Sequence, residues 1–269
     1  MIDSISRKLK TLALRVTGFL SPVRERTYPS VEEALFRAER NDLGAPPVTY
    51  AIGDVHGEIT LLMRLLQILP LHPQDTLVFL GDYLDKGEDS LATIRALRRL
   101  QRLHPSCVFL RGNHEDAWLE CWNGSEFLGA PNMKSARRLW RANRRHMPAE
   151  IGYWLEETRL EYEDEFAYYV HAGVLPGKPF EETPAARKMW GPRGFLKSNY
   201  DWGKLVVFGH WKLARPLVEP NKICVDTGAY RSGTLTAVRL PDRQIFQAQH
   251  ISETTPHEEQ KALQQRLFS

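Results

Sequence analysis

The chain has 269 residues, enough for one large domain or two small ones, and its 42% hydrophobic and 26% charged residues are those of an ordinary globular protein. The net charge of +3 is too mild to argue for nucleic acid, and no apolar stretch reaches the ~18 residues of a membrane span. Three cysteines (Cys107, Cys121 and Cys224) show no paired CxxC spacing, which excludes a zinc-finger or disulfide framework and suits a reducing, cytoplasmic setting.

The first segment, SISRKLKTLALRVTGFL, places Ile5, Leu9, Leu12, Val16 and Phe19 at helical spacing among lysines and arginines. It lacks the continuous apolar core of a secretory signal. Residues 5–20 fit an amphipathic helix able to touch an anionic membrane or a partner, but a helix docked on the domain or a frayed tail is the simpler reading, with a transit peptide the third. A linker and short helix follow, with Ser30 as a candidate N-cap before VEEALFRAER. Strand and helix then alternate. VTYAI (48–52), TLVFL (76–80) and CVFL (107–110) read as strands, and 59–69 and 90–103 as amphipathic helices between them. Crossovers of this length return the chain in one direction, so the three strands should pair in parallel. Residues 113–160 read as mostly helical and rich in tryptophan. After them FAYYVHA, KLVVFGH, NKICVDTG, GTLTAVRL and RQIFQAQH are strand-like runs divided by turn residues, expected to supply a mainly β layer. The expected division is an N-terminal helix and linker over 1–46, one domain over 47–251 and a polar tail over 252–269.

Polar chemistry collects where these strands end. VTYAI runs into GDVHG with Asp54 and His56, TLVFL into GDYLDKG with Asp82 and Asp85, and CVFL into RGNHE with Asn113 and His114. FAYYV and KLVVF end at His171 and His210. Parallel strands place their C-terminal ends on one edge, so side chains from five segments can meet. Asp54, His56, Asp82, Asn113, His171 and His210 make a mixed oxygen and nitrogen set with no thiolate, suited to Mn, Fe or Zn. Six donors exceed one tetrahedral ion, and a carboxylate can bridge a pair of ions ~3.5–4 Å apart. A lone buried histidine or a single Gly-Asp turn would mean little; several such junctions in one chain do not arise by coincidence.

At GDVHG, GDYLDKG, LRGNHE and HAG the sequence resembles the PPP-type, calcineurin-like metallophosphoesterases. It is most similar to their bacterial serine/threonine phosphatase branch, near the symmetrical diadenosine tetraphosphate hydrolases, over about residues 48–240. The resemblance implies an α/β fold, a four-layer α/β/β/α sandwich with a dinuclear metal site at the strand ends. It implies that Asp54 and His56 bind one ion, Asp82 bridges, and Asn113, His171 and His210 bind the other. A metal-bridging hydroxide would attack phosphorus, His114 would act as general acid oriented by Asp85, and Arg111 would clamp the phosphoryl oxygens.

Three details depart from the family pattern. Lys86 replaces the usual arginine after Asp85, Arg193 stands one position late in Trp190-Gly191-Pro192-Arg193, and Trp211 follows His210 in place of threonine. Lys86 and Arg193 are still expected to contact substrate. The expected activity is hydrolysis of a phosphorylated serine/threonine protein, extending to tyrosine, with symmetrical cleavage of a dinucleoside polyphosphate as the alternative. A non-catalytic scaffold or nucleic-acid module using the basic stretch KSARRLWRANRRH (134–146) is the competing class. A solvated helix face is the simpler account of that stretch; Asp226 and Tyr230 lie near the same edge by strand order, and turn chemistry explains VDTG equally well. Glu115 and Asp116 read as supporting acids at a helix start.

Overall fold

A computed structural model describes residues 28, 30–37 and 46–250. The expected helix in 5–20 and the tail from 252 lie outside the described residues. Helix α1 (Val31–Arg37) begins where expected. Ser30 Oγ accepts from Glu33 N–H at 3.1 Å and Glu33 accepts from Ser30 N–H at 2.9 Å, a reciprocal cap.

Strands β1 (Thr49–Ile52), β2 (Thr76–Phe79) and β3 (Cys107–Phe109) pair in parallel, as the spacing predicts. Helices α2 (Ile59–Ile68) and α3 (Ser90–Leu103) form the crossovers. Helix α3 starts on Asp89, whose side chain accepts from Ala92 N–H at 2.9 Å. The tryptophan-rich middle forms α4 (Asn113–Leu119), α5 (Lys134–Ala142) and α6 (Ala149–Glu156), with Trp118 and Trp154 buried in the helix-side core.

The second sheet is built from β4 (Glu161–Glu163), β5 (Ala167–Val170), β6 (Leu205–Phe208), β7 (Leu217–Val218) and β8 (Lys222–Cys224), in the order β4-β5-β6-β8-β7. Helix α7 (Ala185–Trp190) and two short 3-10 turns cover its outer face. After α8 (Ala229–Ser232) the chain leaves this sheet. Strands β9 (Thr234–Leu240) and β10 (Gln244–Gln249) join the first one, giving β10-β9-β1-β2-β3. The late strand-like runs therefore do not form one β layer. Strand β9 fits beside β1 because Leu235 and Ala237 face the helices while Val238 and Leu240 face the other sheet.

The two mixed sheets meet through Ala51, Val78, Leu80, Tyr169, Val207 and Ile223. Tyr50, Ile52, Leu77 and Phe79 point the opposite way, against the helices. Burial on both faces explains why these strands read as continuous apolar runs rather than as alternating ones. The result is the α/β/β/α layering, and no helix among the described residues is long and apolar enough to cross a membrane.

Phe79 is fully buried and stacks on Phe109 with centroids 5.0 Å apart. Phe79→Ala should cost about 3–5 kcal/mol. The expected readout is a lower urea midpoint with an unchanged m-value; a midpoint at the wild-type value would contradict this packing.

Candidate functional site

At the junctions after β1, β2 and β6 the chain turns sharply, and the turn residues are the polar ones. His56, Asp82, Asp85 and His210 all have positive φ, at 49°, 55°, 95° and 71°. Left-handed backbone is uncommon outside glycine and persists only where surroundings impose it. For Asp82 the surroundings are explicit. The Glu115 carboxylate accepts the N–H groups of Asp82 at 2.7 Å, Tyr83 at 2.8 Å and Gly112 at 3.0 Å. Glu115 is fully buried, and burial, with the Asp82 charge beside it, pushes its carboxyl up to about 8.

Asp82 sits between two groups of donors. Its Oδ2 lies 3.3 Å from His56 Nε2, and Asp54 Oδ2 lies 4.0 Å from that same nitrogen. Its Oδ1 lies 3.6 Å from His171 Nε2, which is 3.2 Å from both Asn113 Oδ1 and His210 Nδ1. The structure thus brings together all six expected ligands, and Asp82 is the one that faces both groups.

The donor chemistry fits divalent cations. His56 Nδ1–H donates to Leu84 O at 2.9 Å and His171 Nδ1–H to Leu80 O at 2.7 Å, which leaves each Nε2 with a lone pair aimed inward. Burial lowers the basicity of His56 and His171 and, with His171 adjacent, takes His210 to about 3, so all three imidazoles are neutral near pH 7. Burial, then Asp226 and Asp82, raises the Asp54 carboxyl well above the carboxylate range. Burial works in the same direction on Asp82, but His114, His171 and His56 outweigh it and hold that carboxyl well below. Buried lone pairs and carboxylates this close together repel unless a cation lies among them. One protein cation does reach the cluster: the Lys86 ammonium donates to His56 Nε2 at 2.7 Å.

His114 is placed differently from the ligands. Its Nδ1–H donates to Asp85 Oδ2 at 2.5 Å, and the Trp118 indole N–H donates to Asp85 Oδ1 at 2.8 Å. Its Nε2 lies 3.8 Å from Asp82 Oδ2, so it faces the cluster from the side. Burial opposes its charged form, but Asp82 and Asp85 outweigh burial and raise its pKa above the usual histidine value.

Two expected substrate contacts lie elsewhere. Arg111 Nε donates to Thr158 Oγ1 at 3.1 Å, and its Nη2 reaches the carbonyls of Leu155, Glu156 and Thr158 at 3.2–3.5 Å. The Leu155 and Glu156 carbonyls end helix α6 and Thr158 follows it, so the guanidinium caps that helix instead of clamping a phosphoryl group. Arg193 is exposed on a turn, and no described contact joins it to the cluster. Tyr230, near this edge by strand order but equally explained by turn chemistry in the sequence, packs at the site. Its ring packs edge-on to His56 at 5.3 Å and lies under the Lys86 ammonium at 4.7 Å. The signal available in the sequence was its position four residues after Asp226 at a strand end, which is weak alone.

The profile of the calcineurin-like phosphoesterases matches residues 48–214. A symmetrical bis(5'-nucleosyl)-tetraphosphatase from Dechloromonas aromatica is 26% identical, across 74% of this chain and 95% of its own length. Its counterpart from Janthinobacterium sp. is 30% identical, with the same 74% and 95% coverage. Among solved structures, a provisionally assigned diadenosine tetraphosphatase superposes with a TM-score of 0.63 at 20% identity, over 78% of this chain and 96% of its own. A protein serine/threonine phosphatase from Saccharomyces cerevisiae gives 0.53 at 16% identity, over 84% and 89%. These structural likenesses concern the fold.

A Cβ on Gly112 would lie 2.2 Å from Asp82 Oδ1. Gly112→Ala should therefore displace the Asp82 carboxylate and weaken divalent-ion binding by ~10–100-fold, the range seen when metal ligands lose their supports. Titration calorimetry with Mn²⁺ measures this, with circular dichroism as the check on folding; wild-type affinity would contradict the packing.

Proposed function

This chain belongs to the calcineurin-like phosphoesterase family, and on that footing we propose that it cleaves dinucleoside tetraphosphates symmetrically, using two divalent ions, manganese first among them. The observation that carries the chemistry is Asp82 facing two donor groups, with His114 beside them. The observation that favours this substrate is that relatives matched across 74% of this chain are themselves symmetrical tetraphosphatases. The motifs alone put a phosphoprotein first; relatives of 26–30% identity weigh more than fold likeness at 16%. In the same reading residues 47–251 are the catalytic domain, flanked by segments of other roles.

Asp54 and His56 would hold one ion, Asn113, His171 and His210 the other, and Asp82 both. Bound ions supply positive charge that stabilises the transferring phosphoryl group and acidifies the attacking water. The protein supplies the proton. One water adds across the central phosphoanhydride: its oxygen bonds to one inner phosphorus, and the bond from that phosphorus to the bridging oxygen breaks. The bridging oxygen departs with the second nucleoside diphosphate and takes a proton from His114 Nε2. Asp85 fixes the His114 tautomer and stabilises the charged ring, and Trp118 fixes Asp85.

A phosphoserine, phosphothreonine or phosphotyrosine peptide is the second reading, supported by the motif likeness. The manganese-loaded protein should release ADP from diadenosine tetraphosphate with kcat/KM at least tenfold above that for a phosphopeptide. ATP and AMP as products, or preference for the peptide, would overturn the first reading.

Because Asp85 helps hold His114 above its ordinary pKa, the charged acid is lost only as pH rises past that raised value. Asp85→Asn should move the alkaline limb of the kcat profile to lower pH and reduce its plateau by ~10–100-fold, within the range general acid catalysis contributes. An alkaline limb that stays in place would remove Asp85 from this role.

A further inference from the structure

Beside His114 the protein forms a cavity of about 480 Å³. Its walls include Lys86, Met133, Lys134, Arg138 and Tyr230, with His114 at the boundary to the cluster. The volume falls within the ~300–1,000 Å³ of small-molecule sites and far exceeds the needs of one phosphate. Three cations, an aromatic ring and a thioether share this wall, and no carboxylate is among the described residues lining it. Cations suit phosphate oxygens; an aromatic face and a polarisable sulfur suit a nucleobase.

The parts are held in place. Arg138 Nη2 donates to the Lys86 carbonyl at 2.9 Å, tying α5 to the loop that carries Asp85. The Lys86 ammonium lies over the Tyr230 ring, which in turn packs on His56. Arg137, Arg138 and Arg141 of α5 are all exposed, but of the three only Arg138 lines the cavity. The helix is therefore more than a solvated basic face.

We propose that this cavity binds the departing nucleoside diphosphate, with Lys86, Lys134 and Arg138 on its phosphates and Tyr230 and Met133 on its base. The inference rests on the substrate reading above and adds a direction to it. The acid His114 opens onto this cavity, so the leaving oxygen and the nucleotide attached to it lie on this side.

The test uses the manganese-loaded full chain and ADP as the probe. ADP affinity is measured by calorimetry for wild type, Arg138→Ala, Tyr230→Leu, Arg137→Ala and Arg141→Ala. Inorganic phosphate is titrated in parallel. The proposal expects Arg138→Ala and Tyr230→Leu each to weaken ADP at least tenfold, with Tyr230→Leu weakening ADP by a larger factor than it weakens phosphate. It also expects Arg137→Ala and Arg141→Ala to keep wild-type affinity. In turnover, kcat/KM for diadenosine tetraphosphate should fall at least tenfold relative to kcat/KM for p-nitrophenyl phosphate in the first two variants. Wild-type ADP affinity in Arg138→Ala and Tyr230→Leu overturns the cavity assignment even if the tetraphosphate is cleaved. Equal losses in all three arginine variants also overturn it, because general charge attraction then suffices. Variant-sensitive ADP binding in a protein that leaves the tetraphosphate intact upholds the cavity and overturns the substrate reading.

Discussion

Glu115 reaches from the first turn of a short helix to the backbone of the neighbouring loop, and three N–H groups point at its two oxygens. That contact holds Asp82 in left-handed backbone and so decides where its carboxylate lies. With Asp82 there, one oxygen faces His56 and the other faces His171. Had the loop relaxed, the two donor groups would be separate and neither would share an acid. A buried carboxylate with charged neighbours is costly, and the hydrogen bonds to three backbone donors offset part of that cost.

The same logic repeats around the cluster at lower stakes. A Cβ on Gly209 would lie 2.3 Å from Asp54 Oδ1, and the His210 N–H that follows donates to that same oxygen at 3.0 Å. Backbone from the second sheet thus fixes a carboxylate from the first. Asp226 accepts from Lys212 N–H at 2.7 Å and Gly228 N–H at 2.8 Å, which holds the loop after His210 against the strand end beyond β8. The candidate donors are positioned by packing between loops, and the sheets supply the rigid edge on which those loops rest.

Much of this was legible in the sequence because it is local. Strand, glycine and polar residue follow one another within a few positions, so the parallel strands, the convergence of six candidate donors and the pairing of His114 with Asp85 could be anticipated. What was not legible depends on distant partners. Arg111 sits in the most polar motif of the chain, yet its destination is set by the end of a helix some 45 residues later. Strands β9 and β10 look like continuations of the second sheet, but their apolar faces match the first. Tyr230 gains its meaning only from His56 and Lys86, which are far away in sequence.

Strand order also governs when the protein can exist at all. Strand β1 carries the first ligands, yet one of its two edges pairs with β9, which ends at Leu240. A chain growing from its N-terminus holds the Asp54 and His56 motif long before it holds the strand that closes that edge. His171 and His210 arrive later still than Asn113, from a different sheet. Half-made chains therefore expose an open strand edge and carry an incomplete set of donors. The donor set is complete once His210 is made, but the open edge of β1 persists until β9 follows and docks.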